Sequence, residues 1–328
     1  MRSHPPIQVS AVTLNTSTLV MVNPVSAGGQ TMRRWPRIRT ALREAGVDIH
    51  AHLTTSRGDA TAVTRREITR QSVRRVVAVG GDGTLNEVVN GCFDERGSPL
   101  AGDLTVGLIP SGTGSDLRRT LGLPTDPRTA ARLLAAGTTR TIDVGRILFP
   151  DGSHRLFANV ADCGLGGEVV TRINRSRQKR AGLLGSAVFL GVSMTELISF
   201  RNRQVLLTID GVTTRERVQQ VVVANGRCFG GGMRIAPGAD PGDGLLDVVV
   251  VGDISRLGAL LAVPRLFRGT HVGIREVSTH RVRSIGIAVA DGEIPPRFDV
   301  DGEQVGSAPA EITVLPGALR FAAPALVC

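Results

Sequence analysis

Residues 80–84 read Gly-Gly-Asp-Gly-Thr, set between the apolar run Val76-Val77-Ala78-Val79 and Leu85-Asn86-Glu87-Val88-Val89. The order predicts a buried strand, a glycine turn and a helix. Gly80, Gly81 and Gly83 allow backbone angles and close approaches that a Cβ forbids. The amides that open the following helix favour an anion. Asp82 is the informative member, because a carboxylate in a phosphate cradle repels the phosphate unless a divalent cation lies between them. Such a loop points to magnesium-nucleotide chemistry. The plain alternative is a tight strand-to-helix turn with an exposed aspartate.

Other acids fall in turns where they could act. Asp301-Gly302-Glu303 places two carboxylates two residues apart, on one side of an extended backbone. Two close carboxylates raise one pKa, which suits a base that accepts a hydroxyl proton. The same residues also read as an Asp-Gly hairpin turn with a solvated glutamate. Asp116 ends the turn Pro110-Ser111-Gly112-Thr113-Gly114-Ser115, where it serves either a magnesium ion or the start of its own helix. Pro237-Gly238-Ala239-Asp240-Pro241-Gly242-Asp243-Gly244-Leu245 can aim carbonyl oxygens and a carboxylate at a hard cation, or form a simple surface turn. The six histidines form no ligand-spaced set.

Composition narrows the partners. The 328 residues are 41% hydrophobic and 21% charged, a globular balance with length for two domains. The net charge is +10, and Lys179 is the sole lysine, so no lysine can clamp phosphate inside the glycine loop. The Walker pattern is absent. A pI near 11.1 favours a polyanion, either nucleic acid or an anionic membrane face. With 3% aromatics and no tyrosine, stacking platforms for single-stranded nucleic acid are not expected, and no helix-turn-helix, RNA-binding or zinc signature is present. Cys92, Cys163, Cys228 and Cys328 lack metal-type spacing and suit reduced thiols in a cytoplasmic protein. Met1 to Thr16 has no continuous apolar core, so no signal peptide is expected.

The elements that must position these residues alternate through the first half. Strands are expected at Thr18–Val22, Val47–Leu53, Val76–Val79 and Thr105–Ile109. Helices are expected at about Gln30–Ala45, up to Thr69, after Thr84, at Leu117–Leu121 and at about Arg128–Ala136. This order implies a parallel sheet covered on both faces, with ligands beyond the carboxyl ends of its strands. After about Arg140, strand-like runs dominate: Val205–Ile209, Val218–Ala224, Leu246–Val251, Ser284–Ala290 and Ile312–Leu315. Asp-Gly pairs separate them as turn signals. Helices are expected at about Leu183–Ser199, read as packed and not membrane-spanning, and at Ser255–Phe267, disturbed by Pro264. Arg172, Arg175, Arg177, Lys179 and Arg180 precede the first of these. They read as a membrane-facing basic patch or as a solvated loop.

Taken in order, the motifs resemble the diacylglycerol kinase-like lipid kinases, the soluble bacterial branch related to sphingosine kinases. Asn23-Pro24 with Ser26 and Gly28 resembles the first nucleotide loop, and Thr54 with Gly58 and Ala60 the second. Gly80 to Asn86 resembles the signature loop. Pro110, Gly112, Thr113 and Asp116 resemble a P-x-G-T-x-N-D turn in which Ser115 replaces the asparagine. Phe157-Ala158-Asn159-Val160-Ala161 with Gly164 and Gly166 resembles the opening of the second domain. Gly230-Gly231-Gly232 with Pro237, Ala239, Asp243 and Gly244 resembles a metal-bearing turn, and Asp301-Gly302-Glu303 the late acidic motif.

The resemblance implies an α/β protein of two domains: an N-terminal parallel, NAD kinase-like nucleotide domain over residues 17–140, completed by residues 316–328, and a C-terminal antiparallel β-sandwich over 141–315. It implies ATP and Mg²⁺ as cofactors. Asn23, Ser26, Gly28, Thr54, Gly80, Gly81, Asp82, Gly83, Thr84, Leu85, Asn86, Gly112, Thr113 and Asp116 would bind nucleotide. Asp301, Glu303 and Asp82 would be catalytic. A structural magnesium would be held by Asp243 and the carbonyls of Asp240 and Leu245. The acceptor would be a hydroxyl of diacylglycerol or a related lipid at a membrane surface, with the enzyme cytoplasmic or peripheral on the inner face of the membrane and with no nucleic acid partner. NAD kinases share the Gly-Gly-Asp-Gly-Thr loop and a similar plan, so phosphorylation of NAD is the alternative reaction. A non-catalytic basic protein that binds membrane or nucleic acid is the third reading.

Overall fold

The computed structural model describes residues 17–325 apart from Thr113, residues 180–194 and Ile198. The first half runs β1 (Thr18–Val22), α1 (Gln30–Glu44), β2 (Ile49–Leu53), α2 (Asp59–Thr69), β3 (Arg75–Gly80), α3 (Asp82–Gly91), β4 (Thr105–Pro110), α4 (Asp116–Leu121) and α5 (Pro127–Ala136). Strands β2, β1, β3 and β4 pair in parallel in that spatial order. β1 and β3 are apolar along almost their whole length because both faces of the sheet are covered. One face packs Val63, Ile68, Leu85, Val88 and Leu117 from α2, α3 and α4. The other packs Trp35, Ile38 and Leu42 of α1 with Ala131 and Leu134 of α5.

The second half runs β5 (Thr139–Leu148), β6 (His154–Phe157), β7 (Val160–Gly164), α6 (Leu165–Lys179), β8 (Arg203–Ile209), β9 (Val212–Val218), β10 (Gln220–Ala224) and β11 (Leu246–Val251). It continues with α7 (Arg256–Arg268), β12 (Val277–Val282), β13 (Ser284–Val289), β14 (Arg297–Val300), β15 (Glu303–Ser307) and β16 (Ala310–Ala322). An antiparallel sheet of order β12-β11-β10-β7-β14-β15 faces the antiparallel run β16-β13-β8-β9. Phe157, Val221, Val223, Ile285, Ile287 and Phe298 fill the space between them, which makes a β-sandwich. Asp210-Gly211 and Asp301-Gly302 turn two of its hairpins, all four residues at positive φ.

One strand joins the halves. Residues 311–315 and 319–322 of β16 pair antiparallel with β5; on its other edge, residues 310–313 pair antiparallel with β13, whereas Arg320 and Phe321 pair parallel with β4. A register shift between Leu315 and Leu319 makes room for the change. The parallel sheet and one layer of the sandwich are therefore a single ten-stranded sheet.

Several strands lacked an apolar signature in the sequence. β9 is exposed at five of its seven positions, and β12 reads Val-Ser-Thr-His-Arg-Val, as half-exposed strands do. Residues 165–179, expected to lead as a loop into a later helix, form α6. Arg172, Arg175, Arg177 and Lys179 thus lie on a helix, and Arg172 pairs with Glu196. Arg180, most of the helix expected at Leu183–Ser199, the segment Met1 to Thr16 and Cys328 lie outside the described residues. Among the described residues, no helix is long and apolar enough to cross a membrane.

Phe321 is fully buried where β16 meets β4. Phe321→Ala should cost about 3–5 kcal/mol. Because β16 belongs to both halves, the fluorescence of the single tryptophan, Trp35, and the far-UV circular dichroism should shift to lower urea together. Separate transitions for the two signals would show that the halves unfold independently.

Candidate active site

The loops that follow β1, β2, β3 and β4 gather at one end of the parallel sheet. Their closest approach is glycine on glycine: a Cβ at Gly112 would overlap the backbone of Gly81, and one at Gly81 would lie 3.4 Å from Gly112 Cα. Ser111 and Gly112 both donate backbone N–H bonds of 2.9 Å to the Gly80 carbonyl. Two strand ends thus share one acceptor, and no side chain fits between them. The result is a groove floored by backbone, with Ser26 on its rim 3.9 Å from the position of a Gly81 Cβ. Ala27, Gly28 and Gly29 above it all have positive φ.

Asp82 occupies the centre of this groove. Its carboxylate accepts the Asp116 amide at 2.9 and 3.1 Å, so it holds the first N–H of α4. Asp116 does not cap its own helix. Its Oδ1 accepts from Arg119 at 2.7 Å, and its Oδ2 accepts from the amide of Gly231, in the second half, at 2.7 Å. Burial pushes Asp82 up to about 7, with the nearby Asp116 and Asp301 carboxylates adding to the rise. Burial raises Asp116 as well. Two neighbouring carboxylates, Asp82 and Asp116, are oxygen donors of the kind a divalent cation takes together with phosphate oxygens and water.

Asp301 approaches α3 from the sandwich side. It sits at φ 49° in the β14–β15 turn. Its Oδ2 accepts from Asn86 Nδ2 at 2.9 Å, and its Oδ1 from the Val160 amide at 2.9 Å. Burial pushes it up to about 6, against the lowering effect of those hydrogen bonds. The cause is desolvation and not the neighbouring glutamate, contrary to the expectation from their spacing. Glu303 is not the solvated glutamate of a simple hairpin. It accepts from Arg155 at 2.8 Å and from Arg57 at 3.1 Å, and its Oε1 lies 3.6 Å from the position of a Gly83 Cβ. Asp301 and Glu303 therefore meet the start of α3, where Asp82, Gly83 and Asn86 reside.

The remaining expected residues divide. Asn23 donates to Thr84 Oγ1 at 3.1 Å, which ties the first loop to the glycine loop. Thr54 extends the sheet through its amide to the Val22 carbonyl. The Leu85 side chain is in the hydrophobic core and its amide serves the Gly81 carbonyl, so it offers the groove nothing. Asn86 faces Asp301 and the Leu156 carbonyl, away from the groove. Thr113 lies outside the described residues. Ser115, where the resemblance leads one to expect asparagine, is at φ 50° and its buried Oγ has no partner among the described residues. Asparagine tolerates that backbone better than serine.

The turn at Asp240–Leu245 is organised by a residue that sequence reasoning missed. Asp143, buried in β5, accepts the amides of Gly244 and Gly317 at 2.7 Å each. Asp243 pairs with Arg281 and accepts the Leu245 amide at 3.0 Å, while Asp240 accepts from Gly242. The turn fits a cation only with Arg281 moved off Asp243. No group of three or more histidine, cysteine or acidic residues suited to a metal is present among the described residues.

Other supporting residues were also unforeseen. Glu87 accepts the amides of Gly58 and Ala60 at 2.9 and 3.1 Å and so holds the start of α2. Asn90 locks β6 to α3 through Leu156. Asp162 and Asp299 face each other across β7 and β14, both held above the ordinary carboxylate range by burial. Glu87 and Asn90, polar residues on either side of Val88-Val89, were the available signal.

The Asp301 value sets a pH test. A carboxylate raised from 3.8 to about 6 binds its proton more tightly when folded, so its contribution to stability is full below about 4 and is lost as pH rises through 6. In magnesium-free buffer, the stability of Asp301→Asn relative to wild type should therefore be higher at pH 8 than at pH 4.5. A difference independent of pH in urea titrations would contradict the placement of Asp301.

The sequence of residues 17–147 matches the diacylglycerol kinase catalytic domain, and residues 159–323 match the YegS C-terminal NAD kinase beta sandwich-like domain. A diacylglycerol kinase of Mycobacterium tuberculosis is 33% identical over 311 residues, covering 93% of this chain and 94% of that one. A diacylglycerol kinase of Bacillus subtilis is 27% identical over 297 residues, covering 90% and 92%. A Bacillus anthracis str. Sterne protein solved as a candidate diacylglycerol kinase superposes with a TM-score of 0.74 at 26% identity, covering 97% of this chain and 99% of the other. Two matched domains, in the order and architecture that the strands display, leave one conclusion: the chain belongs to the diacylglycerol kinase-like lipid kinases.

Proposed function

We propose that the protein transfers the γ-phosphate of ATP to a hydroxyl of diacylglycerol or a related lipid, giving phosphatidic acid or its analogue and ADP. The observation that carries this reading is the meeting of Asp301, from the sandwich, with Asn86 of α3, the helix that the glycine loop opens in the parallel half. Phosphoryl transfer asks for positioning and charge neutralisation more than covalent help. The groove offers backbone and glycine space for phosphates, and Asn23 and Ser26 stand at its rim. Asp82 and Asp116 are the residues that would hold the nucleotide's magnesium, whose charge offsets that of the phosphates.

Asp301 is the general base in this scheme. Burial keeps it near pH 6, and the Asn86 and Val160 N–H groups aim it. It takes the acceptor's proton as the hydroxyl oxygen bonds to phosphorus and the bond to the ADP oxygen breaks. Glu303, clamped between Arg57 and Arg155, fixes the β14–β15 turn against Gly83.

Asp301→Asn should lower kcat by about 10²–10⁴-fold with ATP affinity retained. Glu303→Gln should lower it less, because the clamp keeps its hydrogen bonds but loses its charge. Both are read with saturating ATP and dispersed diacylglycerol, separating the labelled product. Near-normal turnover in Asp301→Asn would move the base elsewhere, most simply to Asp82. Phosphorylation of NAD with none of any lipid would overturn the assigned acceptor.

A structural magnesium at Asp243, displacing Arg281, is a second part of the reading, supported by Asp247, whose carboxyl is raised by burial and by the Asp243 and Asp240 charges of this turn. Magnesium should then raise the Tm of wild type, and Asp243→Ala should abolish that rise. An equal response of both proteins to magnesium and to chelator would assign Asp243 to Arg281 alone.

A further inference from the structure

Helix α7 turns an apolar face outward. Leu257 is 66% exposed, Leu261 67%, Phe267 46% and Leu260 41%. At 100° per residue they share one side of the helix, and Ala259, Ala262, Val263 and Leu266 form the opposite, packed side. Arg256 and Arg265 flank the apolar stripe and Arg268 ends it, and none of the three has an acidic partner among the described residues. The helix itself contains no acid. Large apolar side chains in a row, bordered by unpaired arginines, are the pattern of a helix that lies in a lipid headgroup layer.

The helix is also joined to the site. The Leu266 carbonyl accepts the Arg234 amide at 2.9 Å, and Phe229 and Met233 close the turn just before it. Within that turn, Gly231 donates to Asp116. A surface that seats α7 would thus lie beside the segment that reaches the groove.

We infer that α7 is the membrane-docking surface of this protein, with Leu257, Leu260, Leu261 and Phe267 entering the acyl boundary of an anionic bilayer while the arginines meet headgroup phosphates. The inference rests on the lipid-kinase reading only for the purpose of docking. The surface chemistry stands without it. A second copy is the less suitable occupant, because a two-fold interface would set the unpaired arginines of one face against those of the other. The cluster at 172–180, read from sequence as either a membrane-facing patch or a solvated loop, contains no leucine.

The test is co-sedimentation of the full chain with phosphatidylcholine vesicles with and without phosphatidylglycerol, in the absence of nucleotide. Wild type should bind the anionic vesicles, less so at high salt. Leu257→Gln/Leu261→Gln should bind at least about tenfold more weakly, with unchanged Tm and unchanged turnover of a short-chain, monomeric acceptor. Arg265→Gln/Arg268→Gln should lose the preference for phosphatidylglycerol, and Val212→Gln, an exposed apolar position on the β8–β9 hairpin, should bind as wild type. Undiminished binding by the leucine variant, or no binding by wild type, would overturn the proposal. So would a dimer seen by sedimentation velocity that the leucine variant abolishes. Vesicle binding lost in the leucine variant of a protein that phosphorylates no lipid would uphold the docking face and remove the kinase reading.

Discussion

A buried carboxylate is stable only where donors surround it, and in this protein those donors belong to other segments. Asp82 holds the α4 amide, Asp116 holds Gly231, and Asp301 holds Asn86 and Val160. Asp143 holds both Gly244 and Gly317. Each acid ties together segments distant in sequence, and two of these ties, Asp116 to Gly231 and Asp301 to Asn86, cross between the parallel half and the sandwich. The geometry of the groove depends on them, because its floor is glycine backbone with no side chains to brace it.

The same ties explain why the site lies where it does. The carboxyl ends of β3 and β4 offer glycine loops whose two acids, Asp82 and Asp116, are engaged with the α4 amide, Arg119 and the Gly231 amide. The sandwich brings Asp301 on a hairpin turn whose positive φ residues aim it back at α3. β16 fixes the approach, since one strand carries the parallel strands and one layer of the sandwich in a single sheet. Rigid elements on either side of a backbone groove are a means of holding reacting groups in line.

Charge distribution follows a related logic. The chain is strongly basic, but the guanidinium groups nearest the groove are already engaged: Arg119 with Asp116, and Arg57 and Arg155 with Glu303. With no lysine in the glycine loop, phosphate charge in the proposed reaction falls to backbone amides and a cation. The arginines that remain without acidic partners on α7 face outward, toward solvent or membrane.

The sequence by itself determined the alternation of strand and helix in the first half, to within a residue or two, because covered parallel strands read as unbroken apolar runs and glycine marks every turn. It also marked the loops whose acids stand beside glycines, among them those of Asp82, Asp116 and Asp301. It did not disclose β5 to β7, β9, β12, β14 or β15, whose half-exposed or short runs have no distinct pattern. It could not distinguish Asp301 from Glu303, because two residues apart they looked alike. Only the tertiary structure decided that Asp301 is buried against Asn86 while Glu303 is paired with two arginines, and that Asp82 holds α4 while Leu85 and Asn86 turn away from the groove. The physical reason is that a carboxylate's proton affinity and orientation are set by burial and by donors arriving from more than a hundred residues away, and no local pattern records them.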